Sequence, residues 1–202
     1  MYKSKEIRWF IHSENKTISR WFAKQGLKFN TNIARKDYYL VALDYDDIIP
    51  KLREGKIEIK HRIGTSEILL LTSNAEGYFE KFVKWSFKLD SKDGVFEEIT
   101  NINKYATEWV EVYKERMGVK LAKGNNGIIK IHDIKALIDN GCQIEYTRIK
   151  VKDKVRYSFN LEWFGDEFLN LESSFISEIV GDSVLKLEDS MGYGRFLKIV
   201  NS

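Results

Sequence analysis

Lysine, arginine and glutamate recur at every second position along several stretches of this 202-residue chain. The densest stretch is Pro50 to Ile63, P-K-L-R-E-G-K-I-E-I-K-H-R-I, two alternating runs joined by Glu54-Gly55. Lys51 and Arg53 precede the turn; Glu58, Lys60 and Arg62 follow it at the same interval. Residues two apart in a strand share a face, so a hairpin here gathers four cations and one carboxylate on one side. Such groups repel one another unless an anion, or acidic partners on other strands, sits among them. Arginine forks match phosphate oxygens in pairs, and lysine adds a compact point charge. The chemistry to expect is the holding of a polyanion. The plain alternative is a solvated face of an antiparallel sheet.

Positioning these groups requires strands. The hydrophobic fraction, 43%, supports a folded core, and 5 Trp, 10 Tyr and 12 Phe suit a β-rich one. Charged residues make up 31% of the chain, yet the net charge is only +3, unlike a strongly basic nucleic-acid binder. A lone cysteine, Cys142, excludes an internal disulfide and a multi-cysteine zinc site. The opening residues lack an apolar signal core, and the longest aliphatic run, Ile68 to Leu71, is too short to span a bilayer. A cytoplasmic protein of one domain, residues 1–202, is expected, with no membrane partner.

Period-two alternation marks strands at Lys5–Ile11, Arg35–Leu43, the hairpin, Phe79–Leu89, Glu108–Leu121, Ile128–Ile131, Gln143–Val151 and Val155–Phe164. Glu67–Thr72 fits helix or strand. Helices are expected after a Ser13 or Thr17 cap through Phe22, over Ile134–Ile138 behind Asp133, and over Asp166–Val180, with Gly26, Gly141 and Gly181 as stops. Asn125-Asn126-Gly127 reads as a turn. The apolar set Tyr193, Phe196, Leu197 and Ile199 should dock the tail on the body. Collected, the polar strand faces hold ten cations and four carboxylates. The sheet could be open, with a basic face toward water, nucleic acid or a protein. It could instead curl into a barrel whose charged face lines a wet tunnel, with helices outside.

The runs E-I-R at 6–8, D-Y-Y-L at 37–40, K-L-R-E-G-K-I-E-I-K-H-R at 51–62, K-E-R at 114–116, N-L-E at 160–162 and S-M-G-Y at 190–193 follow in an order that resembles the CYTH, or triphosphate tunnel metalloenzyme, superfamily. The resemblance spans almost the whole chain and implies a mainly β, α+β fold: an antiparallel eight-stranded β-barrel tunnel with helices packed outside. It implies a triphosphate or other phosphorylated small molecule held with Mg2+ or Mn2+, and possible phosphohydrolase activity. Carried over residue by residue, it assigns phosphate binding to Lys51, Arg53, Lys60, Arg62, Lys114 and Arg116, joined by Arg8 and Arg156 from the polar faces, and metal binding to Glu6 and Glu162.

The departures are specific. The family pattern E-x-E-x-K reads Glu6-Ile7-Arg8-Trp9-Phe10 here, and Asn160 stands where a first late-strand glutamate is expected. Arg8 either contacts phosphate or pairs with a carboxylate. Three functions follow: a metal-dependent phosphohydrolase, a non-catalytic polyanion-binding barrel with a reduced metal site, or a basic sheet that binds nucleic acid or protein, nucleic acid being the unlikely partner. His61 and Cys142 are expected to pack.

Overall fold

Alternation along these strands leaves each with one polar and one apolar face, and a sheet with that pattern can bury both only by closing. The computed structural model describes residues 2–41, 45–90, 94, 97, 109–124 and 127–201. Its strands are β1 (Tyr2–Ile11), β2 (Arg35–Leu40), β3 (Ile48–Arg53), β4 (Lys56–Thr72), β5 (Ala75–Lys88), β6 (Trp109–Lys123), β7 (Ile129–Asp133), β8 (Gly141–Val151) and β9 (Lys154–Phe164). Eight of them run β2-β3-β4-β5-β1-β9-β8-β6, all antiparallel, and β2 pairs with β6 to complete the ring. β7 lies outside the ring, on β6. The expected eight-stranded antiparallel barrel is thereby borne out, and the open-sheet alternative is overturned.

The hairpin turns on Glu54 and Gly55 at φ 48° and 70°, a two-residue loop whose left-handed residues match the strand twist. β4 then outruns β3, which pairs only as far as His61, and continues beside β5 to Thr72. The undecided stretch from Glu67 is therefore strand.

The outer face carries the main core. Ile7 and Trp9 of β1, Ile144 and Tyr146 of β8, and Phe159 and Leu161 of β9 pack against α1 (Lys16–Lys24) and α2 (Ser173–Val180) through Ile18, Trp21, Phe22, Ile176 and Ile179. Asn15, rather than Ser13 or Thr17, caps α1, its Oδ1 accepting from Thr17 and Ile18 amides. Cys142 is buried in this core, and His61 lies beside Trp85. No helix among the described residues is long and apolar enough to cross a membrane.

A second apolar cluster lies inside one end of the barrel. Helix α3 (Tyr193–Asn201) inserts Phe196, Leu197 and Val200 among inward-facing Phe10, Ile49, Phe82, Val112 and Ile149. Phe196 stacks on Phe10 with ring centroids 3.8 Å apart. The tail docks as expected, but as a plug. Lys154 Nζ donates to the Val200 carbonyl at its last turn, where a helix C-terminus favours a cation.

Two expected helices differ. Residues 134–138 form a turn and irregular chain: Asp133 Oδ1 accepts from the Lys135 amide at 2.7 Å, Ile134 packs over Gly118, and Leu137 is fully exposed. Five residues with no buried stripe cannot repay helix nucleation. The helix expected from Asp166 begins only at Ser173. Asn140 Oδ1 takes the amides of Asp166 and Glu167, and Trp163 Nε1 donates to the Leu169 carbonyl, so the intervening backbone bonds to side chains instead. Residues 42–43, residue 108 and Asn125-Asn126 of the expected strands and turn lie outside the described residues.

Candidate functional site

Closure turns the alternating charges inward. Opposed pairs run Lys51–Glu58, Ile49–Lys60 and Lys60–Lys84 across β3, β4 and β5, then Glu6–Glu162 and Arg8–Asn160 across β1 and β9. Continuing round, Asn160 faces Glu145, Thr147 faces Arg116, and Lys114 faces Arg35. They surround one cavity of about 170 Å3, lined by Arg8, Arg35, Lys51, Arg53, Lys60, Lys84, Lys114 and Arg116, with Glu6, Glu145, Glu162, Gln143, Thr147, Tyr39 and Tyr193. Its lining thus holds eight cations and three carboxylates. Tyr193, the first residue of α3, forms the floor: Lys114 Nζ lies 3.9 Å and the Arg8 guanidinium 4.8 Å from its ring centroid.

Of the residues singled out in the sequence, Arg8, Lys51, Arg53, Lys60, Lys114, Arg116, Glu6 and Glu162 come together here. Arg62 lies apart, in a smaller recess against the start of α3, bonded to Glu80 at 2.8 Å and Asp46 at 3.1 Å. Arg156 sits opposite Ile149 at the plugged end, donates to the Val155 carbonyl, and does not line the cavity. Asp37, Arg35, Tyr39 and Tyr193 were not expected as site residues, Asp37 and Tyr39 being read only within the D-Y-Y-L run and Tyr193 only within the S-M-G-Y run and the docking tail. Their shared period, Arg35, Asp37 and Tyr39 along one face of β2, was the available signal.

Asp37 organises one side. It is 0% exposed and receives Arg53 through Nε at 2.8 Å and Nη2 at 3.0 Å, Lys114 at 2.9 Å and Arg35 at 3.1 Å. Burial raises its pKa, but Lys114, Arg53 and Arg35 lower it more, holding the carboxyl far below its ordinary range. On the other side Glu6 takes Lys60 and, at 3.8 Å, Arg8; Glu162 takes Lys84 at 3.2 Å; Glu145 takes Arg116 at 2.6 Å. Burial raises the Glu162 pKa, and Lys84, Lys60 and Arg8 more than reverse it. Arg8 stays charged: burial works against its charge, while Glu6, Tyr193, Glu145 and Glu162 outweigh that. Lys51 and Lys114 differ. Burial and neighbouring Arg53 push Lys51 down to about 7, although Glu58 lies 2.7 Å away; burial, with Lys51, Arg35 and Arg53 nearby, also pushes Lys114 well down in spite of Asp37.

A known family model matches no part of the chain, and no curated protein matches it. Among solved structures it is similar to a protein from Pyrococcus horikoshii OT3, with 16% identity and a TM-score of 0.42 over 92% of this chain and 94% of that one. It is similar to a Bacillus halodurans protein provisionally described as an adenylate cyclase, with 8% identity and a TM-score of 0.43 over 92% and 95%. A conserved hypothetical protein from Pyrococcus furiosus gives 12% identity and a TM-score of 0.40 over 94% and 98%. Likeness of this degree carries nothing about activity.

The Mg2+ or Mn2+ implied by the sequence resemblance can be tested against the donors. Such ions need carboxylate oxygens free to face them. Glu6 and Glu162 face one another across β1 and β9, but each already has one oxygen paired with a cation, Glu6 Oε2 with Lys60 and Arg8 and Glu162 Oε1 with Lys84. At about 4 Å and an effective dielectric near 20, the Arg8 charge opposes a divalent ion on Glu6 by roughly 8 kcal/mol. No group of three or more His, Cys, Asp or Glu side chains among the described residues could hold a metal. The donor set does not fit.

Proposed function

We propose that this protein binds a phosphorylated small molecule, a triphosphate or related polyphosphate, inside its barrel. One observation carries the reading: eight cations and three carboxylates converge on one cavity whose far end α3 fills. Four of the cations are arginines, Arg8, Arg35, Arg53 and Arg116, whose forks suit the paired oxygens of phosphate groups. The lysines add mobile point charges between them. These eight basic side chains face inward, where a nucleic-acid duplex does not reach them. Turnover of the ligand is the weaker reading, because in-line phosphoryl transfer leans on a metal clamp that this donor set does not offer.

The test is the thermal shift of the full chain with tripolyphosphate, which stabilises the native state by mass action if it binds there alone. A rise of several degrees at saturating ligand is expected, reduced in Arg116→Ala, a variant that loses only the Glu145 partner. Inorganic phosphate release from tripolyphosphate, ATP and thiamine triphosphate with Mg2+ or Mn2+ separates binding from hydrolysis. No tripolyphosphate shift at low salt would overturn the reading.

A further inference from the structure

Asn160 is the anomaly just behind the cavity lining. It is 0% exposed, faces the interior between Arg8 of β1 and Glu145 of β8, and finds no hydrogen-bond partner in the protein for either its amide nitrogen or its oxygen. A buried carboxamide left unmatched is costly, and native proteins seldom keep one without a use. Its cross-strand partner shares the feature. Arg8 is 7% exposed and lines the cavity, yet its Nε is also without a partner, Nη1 reaching only Ser158 Oγ at 3.3 Å. Two adjacent buried side chains thus retain hydrogen-bonding capacity where carboxylates are already neutralised by Lys60, Lys84 and Arg116.

We infer that the cavity binds its phosphorylated ligand without a divalent cation, with Arg8 supplying the fixed positive charge and Asn160 a hydrogen bond to the bound group. This rests on the binding reading above. Arg8 is held by Glu6 and the Tyr193 ring, so its charge is in place before any ligand arrives. A phosphate oxygen approaching it accepts from a guanidinium whose Nε is unspent. Asn160 donates through its amide nitrogen to a second oxygen, or accepts from a hydroxyl on the ligand. A metal is opposed in the same place by the Arg8 charge and by the lysines already paired with Glu6 and Glu162.

The experiment uses the full chain stripped with EDTA, calorimetric titration with tripolyphosphate, and electron paramagnetic resonance of added Mn2+. The expected result is tripolyphosphate binding in EDTA, unimproved by Mn2+, and no protein-bound Mn2+ signal without ligand. Arg8→Gln should weaken tripolyphosphate at least about tenfold, a charge-assisted hydrogen bond being lost, with Arg8→Lys retaining part of the affinity. Asn160→Leu should leave the melting temperature of the free protein unchanged or raised while weakening tripolyphosphate. This is the opposite of what a structural role requires, and it keeps the inference testable should the Arg8 variants fail to fold. Binding that appears only with Mn2+, or an Asn160→Leu protein of unaltered affinity, overturns the inference and leaves the binding reading standing. No tripolyphosphate binding under either condition removes both.

Discussion

Asp37→Asn removes one charge and almost no volume from the point where Arg35, Arg53 and Lys114 meet. The wild-type carboxylate is completely buried, accepts three hydrogen bonds from Arg53 and Lys114, and is ion-paired with Arg35 at 3.1 Å. Removing one partner of a buried ion pair costs about 3–5 kcal/mol, because the remaining charge stays buried without compensation. Asparagine keeps one acceptor, so the lower end, about 3 kcal/mol, is the expected loss. For a chain of this length that lowers the melting temperature by roughly 6–12 °C. A carboxyl held below its unfolded value stabilises the fold above the unfolded pKa, near 3.9, and loses that contribution as pH falls through the folded one. The gap between wild type and variant should therefore persist from pH 8 to pH 5 and narrow only in strong acid. The same three cations line the cavity, so tripolyphosphate should raise the variant's melting temperature by more than it raises the wild type's. Thermal denaturation by circular dichroism across that pH range, with and without ligand, checks both. A variant melting within about 2 °C of wild type would refute the hub at Asp37, and a ligand shift no larger than wild type's would refute its link to the cavity.

Lys51, at about 7 in the free protein, should take up a proton when an anion binds. Its contribution to affinity is full below that value and declines as pH rises through the higher pKa of the complex. Titrations at pH 7.5 in two buffers of unlike ionisation heat should show proton uptake for wild type that Lys51→Arg lacks, the comparison cancelling the ligand's own titration; equal uptake in both would rule Lys51 out. Phe196→Ala, which empties the stacking partner of Phe10 inside the plugged end, should cost about 3–5 kcal/mol. Chemical denaturation reads that loss, and a change under about 1 kcal/mol would show that α3 contributes little to the barrel.

The strands were legible because each half-buried one alternates strictly: Val155 to Phe164 and Pro50 to Ile63 appear in the structure as β9 and the β3–β4 hairpin. Closure was not. It depends on β2 meeting β6, with Arg35 opposite Lys114, and no local pattern ties residues so far apart. Asp37 escaped notice for a related reason. Among Tyr38, Tyr39 and Leu40 it reads as a polar interruption of a β-prone run, and only the ring places three cations around it. The helix expected behind Asp133 failed because capping residues also build turns, and nothing apolar waits there to receive a helical face. Glu6 and Glu162 were located correctly as inward-facing groups, but the lysines that occupy them come from β4 and β5, a pairing invisible until the register is known.

Because α3 fills one end, a ligand of the kind proposed does not enter the cavity from that end. The Tyr193 ring, with Arg8 and Lys114 against it, lies on the α3 side of the cavity. Linear anions would enter by a terminus, their leading group meeting the aromatic floor while the remainder stays among the outer lysines. A chain bulky at both ends could not be threaded. Discrimination by the shape of the leading end, independent of total charge, is built into a vessel with a bottom.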